Sequence, residues 1–162
     1  MEVANAAIIP GIAIYLAHAA DSVLGLLTWT SFVPMCGLLL LGGLYWRGKL
    51  QVLEGSKEGL HRLLATADKV QMPLLAASAI CFVAVISSWF VPALSVSLAD
   101  RVAATVCASL AVLEYVNYYH RQLQHFDHLA DLRRLFAGRG FRAAQMAEDL
   151  RRFRSVQHSA RG

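Results

Sequence analysis

Apolar residues fill three long stretches of the chain, divided by short polar breaks. Residues 6 to 46 run AAIIPGIAIYLAHAADSVLGLLTWTSFVPMCGLLLLGGLYW, and His18 and Asp21 are the strongly polar ionisable side chains within that run. A membrane-spanning helix takes about 20 apolar residues at about 1.5 Å each, so this stretch holds either two spans back to back or one span preceded by a half-helix. Two further stretches follow, Gln71 to Val91 and Leu98 to His120.

Proline tolerates the first turn or the end of a helix better than its interior, and this decides how residues 6 to 46 are cut. Pro10, Pro73 and Pro92 lie at segment ends in this reading. A turn at Thr28 to Ser31, with Ser31 as N-cap, places Pro34 in a first turn as well. The pattern therefore predicts an all-α integral membrane protein with four transmembrane helices. The alternative is three spans plus an N-terminal half-helix, with Pro34 kinking a helix from Val23 to Trp46. Residues 1–120 form the bundle, including a cytoplasmic loop at 47–70, and residues 121–162 form a cytoplasmic Arg-rich helical tail.

Charge sets the orientation. The connection from Arg47 to Val70 carries Arg47, Lys49, Lys57, Arg62 and Lys69, and the tail carries nine arginines from Arg121 to Arg161. The connection from Val91 to Ala99 carries no basic residue, so the middle connection and the carboxyl terminus are expected in the cytoplasm. Trp29 and Trp89 then fall at the outer interface, and Trp46 with Tyr45, Tyr115, Tyr118 and Tyr119 at the inner one. The Ala/Arg-rich composition suggests a bacterial inner membrane. The opening MEVANAA lacks the basic start of a cleavable signal peptide, so the first segment is expected to remain. Cys36, Cys81 and Cys107 lie within apolar segments without a pairing pattern and read as small core residues.

The two cytoplasmic parts are amphipathic. Ser56 is positioned to cap a loop helix with Leu60, Leu63, Leu64 and Ala67 on one stripe. In the tail, Leu129, Leu132 and Phe136 precede a break at Gly138 to Gly140, and Ala143, Met146, Ala147, Leu150 and Phe153 follow it, which predicts a C-terminal helical hairpin. Arg133, Arg134, Arg139, Arg142, Arg151, Arg152 and Arg154 are expected to contact anionic lipid headgroups or an acidic partner. No nucleic-acid-binding motif accompanies this charge.

Candidate chemistry lies in two places. His18 and Asp21 share a helix face with Gly11, Ser22 and Gly25, either packing this helix against a neighbour or lining a working site. Glu114 and Asn117 lie with Ala103, Cys107, Leu110 and Arg121 on a stripe of the last span that becomes polar toward the cytoplasm, and His120 lies close by. With the turn at Thr28 to Ser31, His18 is expected roughly 15 Å from the inner surface and Glu114 roughly 9 Å, which allows a shared polar cavity and not a tight pair. Further on, His120, His125 and His128 with Asp127 and Asp131 offer imidazole and carboxylate ligands for a metal, or an axial ligand for haem. Their angular spread around one helix argues against a closed site, so no cofactor is predicted.

No catalytic triad, phosphate loop or nucleotide fingerprint is present. The expected function is that of a small multi-pass membrane protein acting as a subunit or homo-oligomer, with partners in the bilayer, among other membrane subunits or in copies of itself. The alternative is a permease or enzyme using a cavity of His18, Asp21, Glu114, Asn117 and His120.

Overall fold

A computed structural model describes residues 2–123 and 142–159. Among these, all regular structure is helical apart from one isolated antiparallel bridge between Arg121 and Ala143. Helix α1 spans Glu2–Ala19, α2 Leu26–Leu53, α3 Glu58–Phe90, α4 Leu98–Tyr119 and α5 Gln145–Ser159, with a short 3-10 turn at Pro92–Leu94. The first four are long and apolar enough to cross a membrane, which agrees with the four-helix cut.

The helices run up and down with α2 at the centre, packed on α1, α3 and α4, while α1 meets α4 only sparsely. The main core joins Met35, Leu38, Leu41 and Tyr45 of α2 to Leu64 and Ala67 of α3 and to Ala111, Tyr115 and Tyr119 of α4. A smaller cluster of Val85, Ala104 and Ala108 fills the other end, under the α1–α2 and α3–α4 turns. Helix α1 is apolar around its whole circumference, and Ala17 is its sole buried residue. A helix of that character belongs inside a large core or in lipid.

Where the chain turns differs from the sequence expectation. The first reversal falls at residues 20–25 instead of Thr28 to Ser31. Asp21 adopts a left-handed conformation (φ 47°), the Asp21 amide donates to the His18 carbonyl at 3.1 Å, and the Ser22 amide donates to the Ala17 carbonyl at 2.9 Å. These are the paired bonds of a Schellman stop, and the short polar side chain of Asp tolerates the left-handed residue that the motif requires. Gly55 (φ 96°) ends α2 in the same way, with the Ser56 amide donating to the Gln51 carbonyl at 2.9 Å. Thr28 and Ser31 are buried inside α2, and Ser31 bonds back to the Leu27 carbonyl instead of capping a helix.

Consequently Pro10, Pro34 and Pro73 lie inside helices, and of the four prolines only Pro92 holds the predicted end position. A proline at position i leaves the carbonyl of residue i−4 without its helical donor. For Pro10 that carbonyl belongs to Ala6, and the Cys36 thiol of α2 donates to it at 3.3 Å. For Pro34 it belongs to Thr30, and the Cys81 thiol of α3 donates to it at 3.5 Å. Two of the three cysteines therefore supply interhelical donors where prolines removed intrahelical ones, as neighbouring helices do for broken backbones in lipid.

The expected separate loop helix is absent. Its residues form the start of α3, a single helix of 33 residues and about 50 Å, well beyond the roughly 30 Å of a hydrocarbon core. Ser56 does not cap it: the N-cap is Lys57, without a side-chain bond. Fusing the two segments lets Leu64 and Ala67 join the core directly. The first half of the expected tail hairpin lies outside the described residues. The second half forms α5, whose Met146, Leu150 and Phe153 are buried in the main core.

Candidate functional site

Three polar constellations interrupt this apolar bundle. The first ties the turn end together. Ser97 caps α4 by accepting the Asp100 amide at 2.9 Å, which fixes Asp100 in the first turn. From there its carboxylate crosses to the start of α2. Oδ1 accepts the Gly25 amide at 2.9 Å, the Thr28 amide at 3.2 Å and the Thr28 hydroxyl at 2.6 Å, while Oδ2 accepts the Val96 amide at 3.2 Å. Gly25 has no side chain with which to cap α2, so an acid from another helix takes that role. Asp100 is 1% exposed, and four donors compensate the cost of burying its charge. Nearby, Arg101 stacks over the Trp89 ring at 5.4 Å and donates to the Ser95 hydroxyl, while the Trp89 indole donates to Thr105 at 3.1 Å.

The second constellation docks α5. Asp149 accepts the Tyr45 hydroxyl at 2.7 Å and pairs with Lys49 at 2.6 Å, so it is held by two residues of α2. Arg154 pairs with Asp68 and donates to the Gln71 amide oxygen at 2.5 Å, both on α3. Between them, Phe153 meets the His61 ring edge-on at 4.9 Å. Exposed ion pairs contribute little alone, so the buried apolar face is the main attachment and the charges set its register.

The third constellation lies where α1 begins and α4 ends. The Tyr118 hydroxyl sits between the carboxyl groups of Glu2 and Glu114. Asn117 donates to Glu114 at 3.3 Å, and its own oxygen accepts the Leu123 amide at 2.8 Å. Gly42 of α2 forms the floor, because a Cβ there would collide with the Tyr118 hydroxyl and with Glu2 Oε2. Tyr118 is 4% exposed, and its hydroxyl interacts with both carboxyl groups, though outside strict hydrogen-bond geometry. A water-sized space of about 30 Å³ adjoins it, lined by Asn117, Gln122, Gln145 and Trp46.

The residues expected from sequence are therefore divided. Glu114 and Asn117 come together, joined by Glu2 and Tyr118. His18 and Asp21 are exposed at the opposite end, in the last turn of α1 and in the reversal after it. Sixteen residues of helix separate Glu2 from His18, about 24 Å, so the two groups share no cavity. His120 is exposed beyond α4, its ring 5.7 Å from that of Tyr115. His125, His128, Asp127 and Asp131 lie outside the described residues, as do Arg133, Arg134 and Arg139. Arg142 meets Gln122 through its carbonyl, Arg151 and Arg152 are exposed, and Arg154 is engaged with α3. Among the described residues no group of three or more metal-ligating side chains forms.

Sequence reasoning did not single out Asp100, Glu2 or Gly42. A signal existed for Asp100: Ser97 followed three residues later by an acid is a helix-start pattern, and an acid that close to an apolar span needs a partner. No known family model matches the chain, and neither a curated protein nor a solved structure resembles it significantly.

Proposed function

We propose that this chain is a multi-pass membrane protein that works by association within the bilayer, as a subunit or with copies of itself, through the face formed by α1 and α4. The observation that carries this reading is the incomplete burial of α1. It is apolar on every side, yet it rests on α2 and leaves between itself and α4 an open groove of about 390 Å³, lined by aliphatic residues such as Ile9, Ala13, Val102 and Val106. Small side chains on such a face allow a second helix to approach closely. The distribution of charge supports an orientation with α5 in the cytoplasm. Arg47, Lys49, Lys57 and Arg62 cluster at the end where α5 docks, whereas Asp21 and Asp100 mark the other, where Arg101 is the one Lys or Arg among the described residues. A bacterial inner membrane fits this arrangement, and the exposed Arg151 and Arg152 are placed for anionic headgroups or an acidic partner.

The test is the mass of the purified protein in neutral detergent, by light scattering across a range of detergent-to-protein ratios. An oligomer is expected, and Ile12→Trp with Val102→Trp, which fill the groove, should shift it to monomer. A wild-type chain that stays monomeric at every ratio, or an oligomer indifferent to both substitutions, refutes the reading. The competing reading, a permease or enzyme using a cavity of His18, Asp21, Glu114, Asn117 and His120, loses support from the distance between its two halves.

A further inference from the structure

We infer that the end of the bundle where α5 docks holds one anionic phospholipid, with its phosphate against Arg151 and His120 and an acyl chain in a groove between α3 and α4. The groove, about 320 Å³, is walled by Leu75, Ala79, Phe82 and Val83 of α3 and by Val112 and Val116 of α4. It runs from His120 toward the middle of the bundle, since Leu75 and Val83 are eight residues apart, about 12 Å along α3. At His120 it meets a second hollow of about 290 Å³, lined by Gln71 of α3 and by Arg151 and Arg154 of α5. Among the described residues no acid lines that hollow. Two adjoining spaces of opposite character, sharing one residue, fit a molecule with an apolar tail and a polar head. Their order is that of a lipid in its leaflet, with the polar end at the helix termini and the apolar end directed inward.

Charge complementarity identifies the head as anionic. Arg154 pairs with Asp68 and donates to Gln71, so its charge is already met. Arg151 has no acid in ion-pair range among the described residues, and its guanidinium keeps free donors beyond the long 3.4 Å bond from Nε to the Ala147 carbonyl. A phosphate accepts from such a guanidinium in a forked pair, which a zwitterionic headgroup weakens by bringing its own ammonium group. A second observation lies inside the groove. Ser78 lines it and is 1% exposed, and its hydroxyl has no hydrogen-bond partner among the described residues. A buried hydroxyl left unpaired is costly. Ser78 lies seven residues, about 10 Å, farther into the bundle than Gln71, so its hydroxyl is placed for the ester carbonyl that follows the phosphate down a phospholipid. The inference rests on the membrane placement and orientation proposed above, but not on self-association: this groove is on the α3 side of α4, and the association face is on its α1 side.

Native mass spectrometry of the full chain in neutral detergent, titrated with phosphatidylglycerol, with phosphatidylcholine of the same chains, or with water-soluble glycerol phosphate, counts the copies retained per protomer. Phosphatidylglycerol is expected to saturate at one copy, phosphatidylcholine to bind at least about fivefold more weakly, and glycerol phosphate, which lacks the chain, not to be retained. Arg151→Gln should weaken phosphatidylglycerol by about fivefold, the effect of one basic residue near a headgroup, while Arg152→Gln, an equal charge change at an exposed residue outside the hollow, should not. Ala79→Trp, at an exposed position on the groove wall, should abolish the saturable copy, and Ser78→Ala should weaken it by about threefold. Ile12→Trp, in the association face, should leave the lipid count unchanged whatever the mass of the protein, so the two readings fail separately. An unaltered helical circular dichroism spectrum confirms that each variant folds. Equal binding of the two lipids, retention of glycerol phosphate, equal losses in Arg151→Gln and Arg152→Gln, or full affinity in Ala79→Trp or Ser78→Ala overturns the proposal.

Discussion

Removing the carboxylate of Asp100 offers the sharpest test of how the bundle is held. In Asp100→Ala, the amides of Gly25, Thr28 and Val96 lose their acceptor, that of Thr28 in a buried place, and the Thr28 hydroxyl keeps only its 2.8 Å bond to the Asp100 carbonyl. Each bond to a charged group contributes about 1.5–3 kcal/mol net, but bonds sharing one oxygen are not additive. Loss of a helix cap alone costs about 0.5–2 kcal/mol. Taken together, the loss should be about 3–5 kcal/mol, the range found when one partner of a buried charged network is deleted. Asp100→Asn keeps an oxygen for the α2 amides but turns an NH2 group toward the Val96 amide, so its cost should be smaller, about 1–2 kcal/mol. Reversible unfolding in mixed micelles by added SDS, followed by far-ultraviolet circular dichroism, measures both. A wild-type midpoint in Asp100→Ala would refute the claim that α4 caps α2, and equal losses in the two variants would show that the carboxylate charge and its second oxygen, not the bonds to the α2 amides, carry the effect.

Two other outcomes follow from the packing. Cys36→Ala should cost about 1 kcal/mol in the native background and close to nothing in Pro10→Ala, where the restored amide takes over the Ala6 carbonyl; a double-mutant cycle in SDS unfolding reads the coupling, and additive losses would contradict the thiol's assigned role. Leu150→Ala, at a residue 2% exposed in the core, should weaken α5 docking by about 2–4 kcal/mol and speed amide exchange in α5 while leaving α2 protected, as hydrogen exchange by mass spectrometry would report.

The number of helices long and apolar enough to cross a membrane was legible because hydropathy over about 20 residues is a bulk property, insensitive to which residue starts a helix. The tail face of Met146, Leu150 and Phe153 was legible for a related reason: its 3.6-residue period is strong and its surroundings are polar. The turns were not. Proline was read as an end marker, a rule for helices in water, where a freed carbonyl has no substitute donor on a neighbouring helix. Here Cys36 and Cys81 are such donors, and that requires knowing which helices touch. Asp21 looked like a buried acid because its neighbours are apolar, yet its conformation is that of a helix stop, which Gly would have announced and Asp conceals. In the candidate site, Glu114 and Asn117 were visible through their spacing on one helix. Glu2 was not, since only the antiparallel course of α1 brings the first residues of the bundle against the last turns of α4.

The link between Asp100 and α2 also bears on how the protein is made. The chain emerges from the ribosome amino end first, so α2 is made while the residue that completes its first turn lies 72 positions downstream of Thr28 and is not yet synthesised. Until α4 arrives, the amides of Gly25 and Thr28 are without the carboxylate acceptor they have in the folded chain. The last long helix is thus a late fastener for the second, and a nascent chain halted before residue 98 lacks the carboxylate that receives the Gly25 and Thr28 amides.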